Sequence, residues 1–158
     1  MCRPAIRKAI RMIKPVTEKE IMQAAVIHSE SWKESHRSIC SAEFLEIHTP
    51  ERQKRYLESE TAKGARLYML FDGSPKGIVS VLDGLISNLY VLPAEQNKGY
   101  GTQLLEFAVG ECTAAPSLWV LSTNVGAKRF YERNGFKPTG NVKQIADGLY
   151  ELELSLAG

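Results

Sequence analysis

Residues 85–112 read LISNLYVLPAEQNKGYGTQLLEFAVGEC, and this stretch decides the fold. Residues 85–91 form a compact run that predicts a strand, which Pro93 ends. A loop with two glycines, residues 96–101, comes next. The apolar positions after the loop recur at helical spacing: Leu104, Leu105, Ala108, Val109 and Cys112. The stretch therefore predicts a strand, a turn, a glycine loop and a helix, in that order.

The glycine loop is suited to holding an anion. A helix start offers unpaired backbone N–H groups and a partial charge of about +0.5, and Gly99 and Gly101 allow the backbone to approach a pyrophosphate closely. The loop lacks the Lys-Ser/Thr ending of a P-loop, and a dinucleotide fingerprint needs a glycine where Leu104 stands. Taken alone, the segment also fits an ordinary turn between a strand and a helix.

Strand patterns precede this stretch. Residues 66–71 and 77–82 flank a turn at 72–75 and predict a β-hairpin. The strand at 85–91 extends the hairpin into an antiparallel meander. A shorter apolar and basic run at 10–14 predicts a further edge strand near the start of the chain.

Two helical regions separate that first strand from the meander. Thr17 and Glu20 form a capping box, which predicts a helix that ends near Ser35. Residues 36–49 are short and mixed in pattern, and Pro50 opens a second, charged helix. The first helix has one face to bury, formed by Ile21, Ala24, Ala25, His28 and Trp32.

The chain downstream of the decisive stretch returns to alternating strands and helices. Residues 117–121 predict a strand, and residues 124–133 a helix that Gly135 terminates. Residues 136–139 and 149–154 predict the last two strands. The whole pattern gives about seven strands and about four helices.

Composition limits the class of protein. The 158 residues are 44% hydrophobic and 24% charged, which is typical of one folded domain. A net charge of +2 is far from the clustered basic surface of nucleic-acid-binding proteins, and no run is apolar enough to span a membrane. We therefore expect no nucleic-acid or membrane partner.

The cysteines and the N-terminus indicate a compartment. Cys2, Cys40 and Cys112 are widely spaced, without metal-ligand spacing, which favours a reducing environment and no structural metal. The basic start lacks the apolar region of a signal peptide. We expect a cytoplasmic protein with a single domain over residues 1–158, in which residues 1–8 form an extension.

Two motifs carry a resemblance to a known family. The first is Asn88-Leu89-Tyr90-Val91-Leu92-Pro93 followed by Gln96-x-x-Gly99-x-Gly101. The second is Asn124-x-x-Ala127-x-x-Phe130-Tyr131-x-x-x-Gly135-Phe136. With these motifs the chain resembles the GNAT superfamily of acyl-CoA-dependent N-acetyltransferases over nearly its whole length. The resemblance implies an α+β fold in αβα layers, with a mixed, mostly antiparallel sheet that opens between its fourth and fifth strands.

The resemblance also implies a cosubstrate and roles for individual residues. Acetyl-CoA is the expected acetyl donor, and the expected acceptor is a primary amine on a small molecule or a peptide. Tyr131 matches the general acid that returns a proton to the departing thiolate, although a packed helix aromatic is the structural alternative. Asn124 is expected near the pantetheine or phosphate groups, and the backbone of Leu89 and Val91 along the pantetheine arm. The N–H groups expected to hold the pyrophosphate are those of Gln96, Lys98, Gly99, Tyr100, Gly101 and Thr102.

The chain departs from the family in one respect. Many members carry a glutamate at the start of the third meander strand, and we assign the matching position to Leu85. Asp83, Glu30 or Glu34 could replace this base through water. Making a lysine-like amine neutral at pH 7 costs about 4 to 5 kcal/mol, but an α-amine costs only about 1 to 1.5 kcal/mol. The departure therefore favours acceptors of low pKa.

Two roles are open for each of several other residues. His28 and Trp32 are expected to line the core or a groove, and Lys128 and Arg129 are either solvated or close to the 3′-phosphate of coenzyme A. The histidines form no triad with Ser or Cys, which favours direct attack by the amine. A non-catalytic acyl-CoA-binding module and a protein or peptide acetyltransferase remain alternatives. The oligomeric state is left open, a homodimer included.

Overall fold

A single seven-stranded sheet organises the computed structural model, which describes residues 12–156. The strands are β1 (Met12–Pro15), β2 (Arg66–Phe71), β3 (Pro75–Leu82), β4 (Leu85–Val91), β5 (Ser117–Leu121), β6 (Phe136–Ala146) and β7 (Leu149–Leu156). Their order in the sheet is β1-β2-β3-β4-β5-β7-β6. The expected antiparallel meander is formed by β2, β3 and β4, and β1 pairs with β2 at the edge of the sheet, as expected.

The sheet opens between β4 and β5, as expected. These parallel neighbours are in register at one position, Leu85 opposite Ser117. Upstream in the sheet, the pairing of β3 with β4 shifts between Ile78 and Ser80, opposite Asn88, whose φ is 53°. Asparagine tolerates this left-handed conformation better than most residues. The irregularity on one side and the lost pairing on the other leave β4 free to diverge from β5.

Five α-helices cover the two faces of the sheet within the described part of the chain. They are α1 (Ile21–His36), α2 (Ala42–Glu46), α3 (Pro50–Ala62), α4 (Tyr100–Glu111) and α5 (Val125–Arg133). The prediction of about four helices missed α2, a short helix capped by the Ser41 hydroxyl, which accepts from Phe44 N at 3.1 Å. None of these helices is long and apolar enough to cross a membrane.

Several strands and helices have the predicted bounds, but some predicted ends are wrong. Helix α1 begins at Ile21, after a turn in which Glu20 Oε1 accepts from the Thr17 N–H at 3.1 Å, so one half of the predicted capping box forms ahead of the helix. Strand β6 runs to Ala146, well beyond the predicted end at Thr139, because β7 pairs with it along a long hairpin. The predicted start of the first strand, Ile10, lies outside the described residues, as do residues 1–8.

Two hydrophobic cores lie on opposite faces of the sheet, because successive strand residues point to opposite sides. One core joins α1 and α3 to the sheet through Ile27, Leu57 and Met69. The other joins α4 to the sheet through Leu104, Leu105 and Leu154 and includes Ala108 of the predicted helical stripe. The open gap between β4 and β5 therefore lies between two well-packed layers.

Candidate active site

A cleft of about 690 Å³ occupies the gap between β4 and β5. Its floor and sides are formed by both diverging strands, by the start of α4, by α5 and by one side of α1. The two sequence motifs meet here, because the first follows β4 and the second follows β5. The parting of the strands thus creates a groove in which backbone and side chains from several elements can face a ligand.

One end of the cleft is formed by the glycine loop and the first turn of α4. Gly99 has a φ of 88°, which glycine adopts without the strain that a side chain would bring, and a Cβ there would meet no atom within 4 Å. No side chain caps this helix start. Its N-terminal partial charge therefore faces the cleft and is suited to a phosphate or pyrophosphate.

Most of the residues predicted to bind the cosubstrate line this cleft. They are Leu89, Val91, Gln96, Gly99, Tyr100, Gly101, Thr102 and Asn124. Lys98 does not line it, and its ammonium group binds Glu95, which does line the cleft, at 2.9 Å. The role expected of the Lys98 N–H stays a prediction.

Backbone groups along β4 are only partly available. The Val91 carbonyl oxygen already accepts from Ser31 Oγ at 3.0 Å and from Gln96 Nε2 at 3.2 Å. A carbonyl oxygen has two lone pairs, so these bonds use its capacity. A backbone bond from Val91 to a ligand must therefore come from its N–H.

Helix α5 presents the second motif. The Asn124 side chain caps the helix by accepting from Ala127 N at 3.1 Å, so its oxygen has a structural role and its Nδ2 group is the part left for a ligand. Lys128 and Arg129 stand in the first turns of the helix but do not line the cleft. The structure therefore leaves these two cations beside the site rather than in it.

Tyr131 lies in the cleft wall and packs edge-on against Phe130 and Phe136, with ring centroids 5.2 and 6.1 Å away. Desolvation raises the pKa of its phenol well above the usual value of 10. Among the described residues its hydroxyl makes no hydrogen bond. The phenol in the cleft wall is thus protonated and has no hydrogen-bond partner among the described residues. Its ring also packs against aromatic neighbours, as the alternative role of a packed helix aromatic predicted.

A buried polar network supports the cleft beneath β4. His28 Nδ1 accepts from Gln53 Nε2 at 2.7 Å, which leaves His28 Nε2 to donate to Asn88 Oδ1 at 3.2 Å. The same oxygen accepts from Tyr56 OH at 3.2 Å, and Asn88 Nδ2 donates to Ser80 Oγ at 3.1 Å. Burial lowers the pKa of His28 to about 4, so the imidazole is neutral at pH 7. His28 is therefore a core residue, one of its two expected places.

Trp32 forms an aromatic wall on the α1 side of the cleft. Its ring is stacked between His36 at 3.8 Å and His48 at 3.7 Å, and Phe44 lies 5.9 Å away at a tilt. Desolvation lowers the pKa of both histidines. Trp32 and His36 line the cleft, which places Trp32 in the groove, as one reading of the sequence expected.

The carboxylates expected to serve as a base are mostly elsewhere. Asp83 lies in the β3–β4 turn at the closed end of the gap, and Glu30 is exposed on α1 away from the cleft. Leu85 does not line the cleft either, whereas Ser87, two residues further along the strand, does. Of the three candidates only Glu34 reaches the cleft. Within residues 12–156, no group of three His, Cys, Asp or Glu side chains is placed to hold a metal ion.

Sequence reasoning missed several residues of the site. Glu151 of β7 and Trp119 of β5 line the cleft, and Tyr56 of α3 stands beside it through its bond to Asn88. The alternation of Glu151 and Glu153 with leucines did signal a strand with one polar face. It did not reveal that β7 lies next to β5, which brings that face to the cleft.

Comparison with known proteins agrees with this geometry. Residues 64–138 match the family model described as an acetyltransferase (GNAT) domain. That match covers β2 to the start of β6 and so includes both motifs. No curated protein sequence is similar enough to count as a match.

Solved structures share the fold over nearly the whole chain. The PaiA N-acetyltransferase of Thermoplasma acidophilum, in complex with coenzyme A, is 19% identical, with a TM-score of 0.68 over 92% of this chain and 98% of that one. The ribosomal-protein-S18-alanine N-acetyltransferase of Escherichia coli is 20% identical, with a TM-score of 0.69 over 94% and 96%. YncA of Salmonella typhimurium, with its cofactor acetyl-CoA, is 18% identical, with a TM-score of 0.64 over 93% of each chain. The resemblance is thus confirmed: the chain has the GNAT fold, and its residues 64–138 match the GNAT acetyltransferase domain.

Proposed function

We propose that the protein is an N-acetyltransferase that moves the acetyl group of acetyl-CoA onto a primary amine by direct attack within a ternary complex. One observation carries the proposal: an uncapped helix start suited to a pyrophosphate and a protonated phenol share one cleft between two diverging strands. The GNAT domain match supports acyl-CoA as the donor. Acetyl-CoA supplies an activated thioester, and this chain's residues orient it and manage the protons.

Binding of the donor is assigned to the first motif. The N–H groups of residues 96 and 98–102 hold the pyrophosphate, helped by the partial positive charge of α4. The pantetheine arm follows the exposed edge of β4, with the backbone of Leu89 and the N–H of Val91 as partners. Asn124 adds its Nδ2 group from the opposite side of the cleft. This arrangement needs no metal ion.

Proton return is assigned to Tyr131. The ordinary pKa of a phenol is above that of a simple thiol, and burial raises the pKa of Tyr131 further, so the phenol keeps its proton until the C–S bond breaks. Because the phenol is the weaker acid, proton transfer to the departing sulfur is uphill by itself and has to be coupled to C–S cleavage and to the loss of a proton from the attacking nitrogen. The edge-on packing against Phe130 keeps the ring in place for that step.

The acceptor enters from the face that α1 and α3 share with the open part of the sheet. Ser31, Ser35 and Trp32 of α1 line that side, opposite Trp119 of β5. A leucine where many family members carry a glutamate would favour the non-catalytic alternative, but Leu85 lies outside the cleft, so its side chain is no argument against catalysis. The proposal covers amines on small molecules and amines on peptides as acceptors.

Two measurements test the proposal. Calorimetry with acetyl-CoA should show binding that Gly101→Glu abolishes, because a carboxylate at that position stands where the pyrophosphate is placed. Gly110→Glu is the matched control, since it adds the same group to the same helix in open space. Release of free thiol from acetyl-CoA, followed with a panel of primary amines, separates an enzyme from a binding module. Acetyl-CoA binding unaffected by Gly101→Glu would refute the assigned site.

A further inference from the structure

Glu151 of β7 borders the cleft from the sheet face that α1 and α3 cover. It lies opposite Leu121 in the β5–β7 pairing, and its side chain is 26% exposed. Leu152 and Leu154, which alternate with Glu151 and Glu153 along β7, pack into the core on the α4 side. Alternation along the strand therefore points Glu151 to the other face, where α1 and α3 lie, and it lines the cleft.

Glu151 of β7 and Tyr131 of α5 both line the cleft, from two different elements of its wall. Burial raises the pKa of the Tyr90 and Tyr56 phenols, and the Glu151 carboxylate adds to both shifts. This is in line with the position of Glu151 on the sheet face that Tyr90 and Tyr56 share.

The other carboxylates of the cleft are already paired. Glu95 binds Lys98 at 2.9 Å and Lys76 at 3.3 Å, and Glu34 binds Arg37 at 2.6 Å. Glu151 has a looser partner: Lys143 Nζ is 3.8 Å away.

The Lys143 ammonium group is also shared with an aromatic ring, because it lies 4.3 Å from the centre of the Trp119 ring. A cation over an indole face keeps a favourable interaction when its carboxylate is taken by another cation. Among the carboxylates that line the cleft within the described residues, Glu151 is therefore the one that an incoming ammonium group can engage at the least cost.

We infer that Glu151 binds the ammonium group of the acceptor and takes its proton, an inference that rests on the proposed function. The ammonium gives one proton to the carboxylate, and the neutral nitrogen attacks the thioester carbonyl carbon with its lone pair. As the new N–C bond forms, the C–S bond breaks, and the sulfur leaves with the bonding pair and takes the Tyr131 proton. The nitrogen then loses a second proton, which restores the phenol, and Glu151 releases its own to water.

This role assigns a class of acceptor. A carboxylate base matters most for an amine that is protonated at neutral pH, such as the lysine side chain with a pKa near 10.4. It matters little for an arylamine, which is already neutral. The site is thus suited to alkylamines of high pKa. This reverses the preference for low-pKa amines that the sequence suggested from Leu85.

Glu151→Gln tests the inference, with Glu153→Gln as the matched control. Glu153 lies on the same strand and face but does not line the cleft, and Thr139 Oγ1 and Asn141 Nδ2 hold it at 2.9 and 2.8 Å. Thiol release is measured at saturating acetyl-CoA with three probes: the side-chain amine of a blocked lysine, alaninamide and aniline. Calorimetry of acetyl-CoA binding shows whether each variant keeps its donor site.

The expected result is graded by the pKa of the amine. Glu151→Gln should lower kcat/KM by about 10²-fold for the blocked lysine, within the usual range for a general base, and by less for alaninamide and least for aniline. Acetyl-CoA affinity and the Glu153→Gln variant should stay within about three-fold of the unmodified protein. An equal loss for all three probes, or no loss, would overturn the role of Glu151 and leave the acetyltransferase proposal intact. No thiol release from the unmodified protein with any probe would overturn both.

Discussion

Replacing Asn88 with alanine should destabilise the protein through two separable effects. The first is the loss of an acceptor for His28, whose side chain is buried with 4% exposure. A buried donor left without a partner costs about 1 to 3 kcal/mol. The second is backbone strain, because Asn88 has a φ of 53°, a conformation that asparagine adopts more readily than alanine, for which it costs about 1 kcal/mol or more. Together they predict a loss of about 2 to 4 kcal/mol.

Asn88→Gly separates the two effects. Glycine adopts the left-handed conformation freely, so this variant keeps the backbone and loses only the side-chain bonds. Urea unfolding followed by circular dichroism at pH 7 gives both free energies, and an unchanged slope with urea shows that the transition stays comparable. The alanine variant should be the less stable of the two by about 1 kcal/mol, offset in part by the greater chain entropy of glycine.

The same variants report on the cleft. Asn88 joins α1, α3 and β3 to the irregular point of β4, so its loss should also weaken acetyl-CoA binding by several-fold. A loss of stability below about 0.5 kcal/mol for Asn88→Ala, as for an ordinary surface substitution, would refute the view that this network holds β4 in place.

Three further predictions follow from the site and the termini. Tyr131→Phe should lower turnover at least about tenfold, measured where chemistry limits the rate, while the affinity for acetyl-CoA stays within a few-fold. Near-normal turnover would mean that water, and not Tyr131, protonates the departing thiolate. The free energy of unfolding should fall by about 3 kcal/mol as the pH drops from 6.5 to 4, because the unfolded chain protonates His28 near 6.5 and the folded chain only near pH 4. His36 and His48 act in the same direction, and urea titrations of His28→Gln should show a shallower pH dependence. Deleting residues 1–8 should leave the melting temperature nearly unchanged. A drop of many degrees would show that this segment is an integral part of the domain.

The regular elements could be predicted because each carries a local signal. Strands β2, β4 and β5 have the predicted bounds, since apolar runs bordered by turn residues fix both ends. Helix α4 was identified from the spacing of its apolar stripe. Where the signal depends on a distant partner, prediction failed: β6 is almost entirely exposed, and only its pairing with β7 extends it to Ala146.

The candidate site divides in the same way. The donor side rests on two contiguous motifs, and nine of the ten residues named from them, Tyr131 included, line the cleft. They were named by sequence position, with little knowledge of the fold beyond the gap between strands. The acceptor side is assembled from α1, α3, β5 and β7, which are far apart in sequence. Leu85 does not line the cleft, and the sequence could not show this, because strand alternation alone does not tell where along a strand its neighbour departs. Glu151 could be found only once β7 was known to pair with β5.

The placement of the tryptophans has a practical consequence. The sequence contains two, Trp32 and Trp119, and both line the cleft. The tryptophan emission of the protein, excited at a wavelength that its six tyrosines do not absorb, therefore originates from the two walls between which donor and acceptor are proposed to bind. Because Trp32 is stacked between two imidazoles and Trp119 lies beneath an ammonium group, each indole has a neighbour whose movement alters its quantum yield. Occupancy of the cleft can thus be followed optically in the unlabelled protein, and single Trp→Phe variants assign each change to one wall.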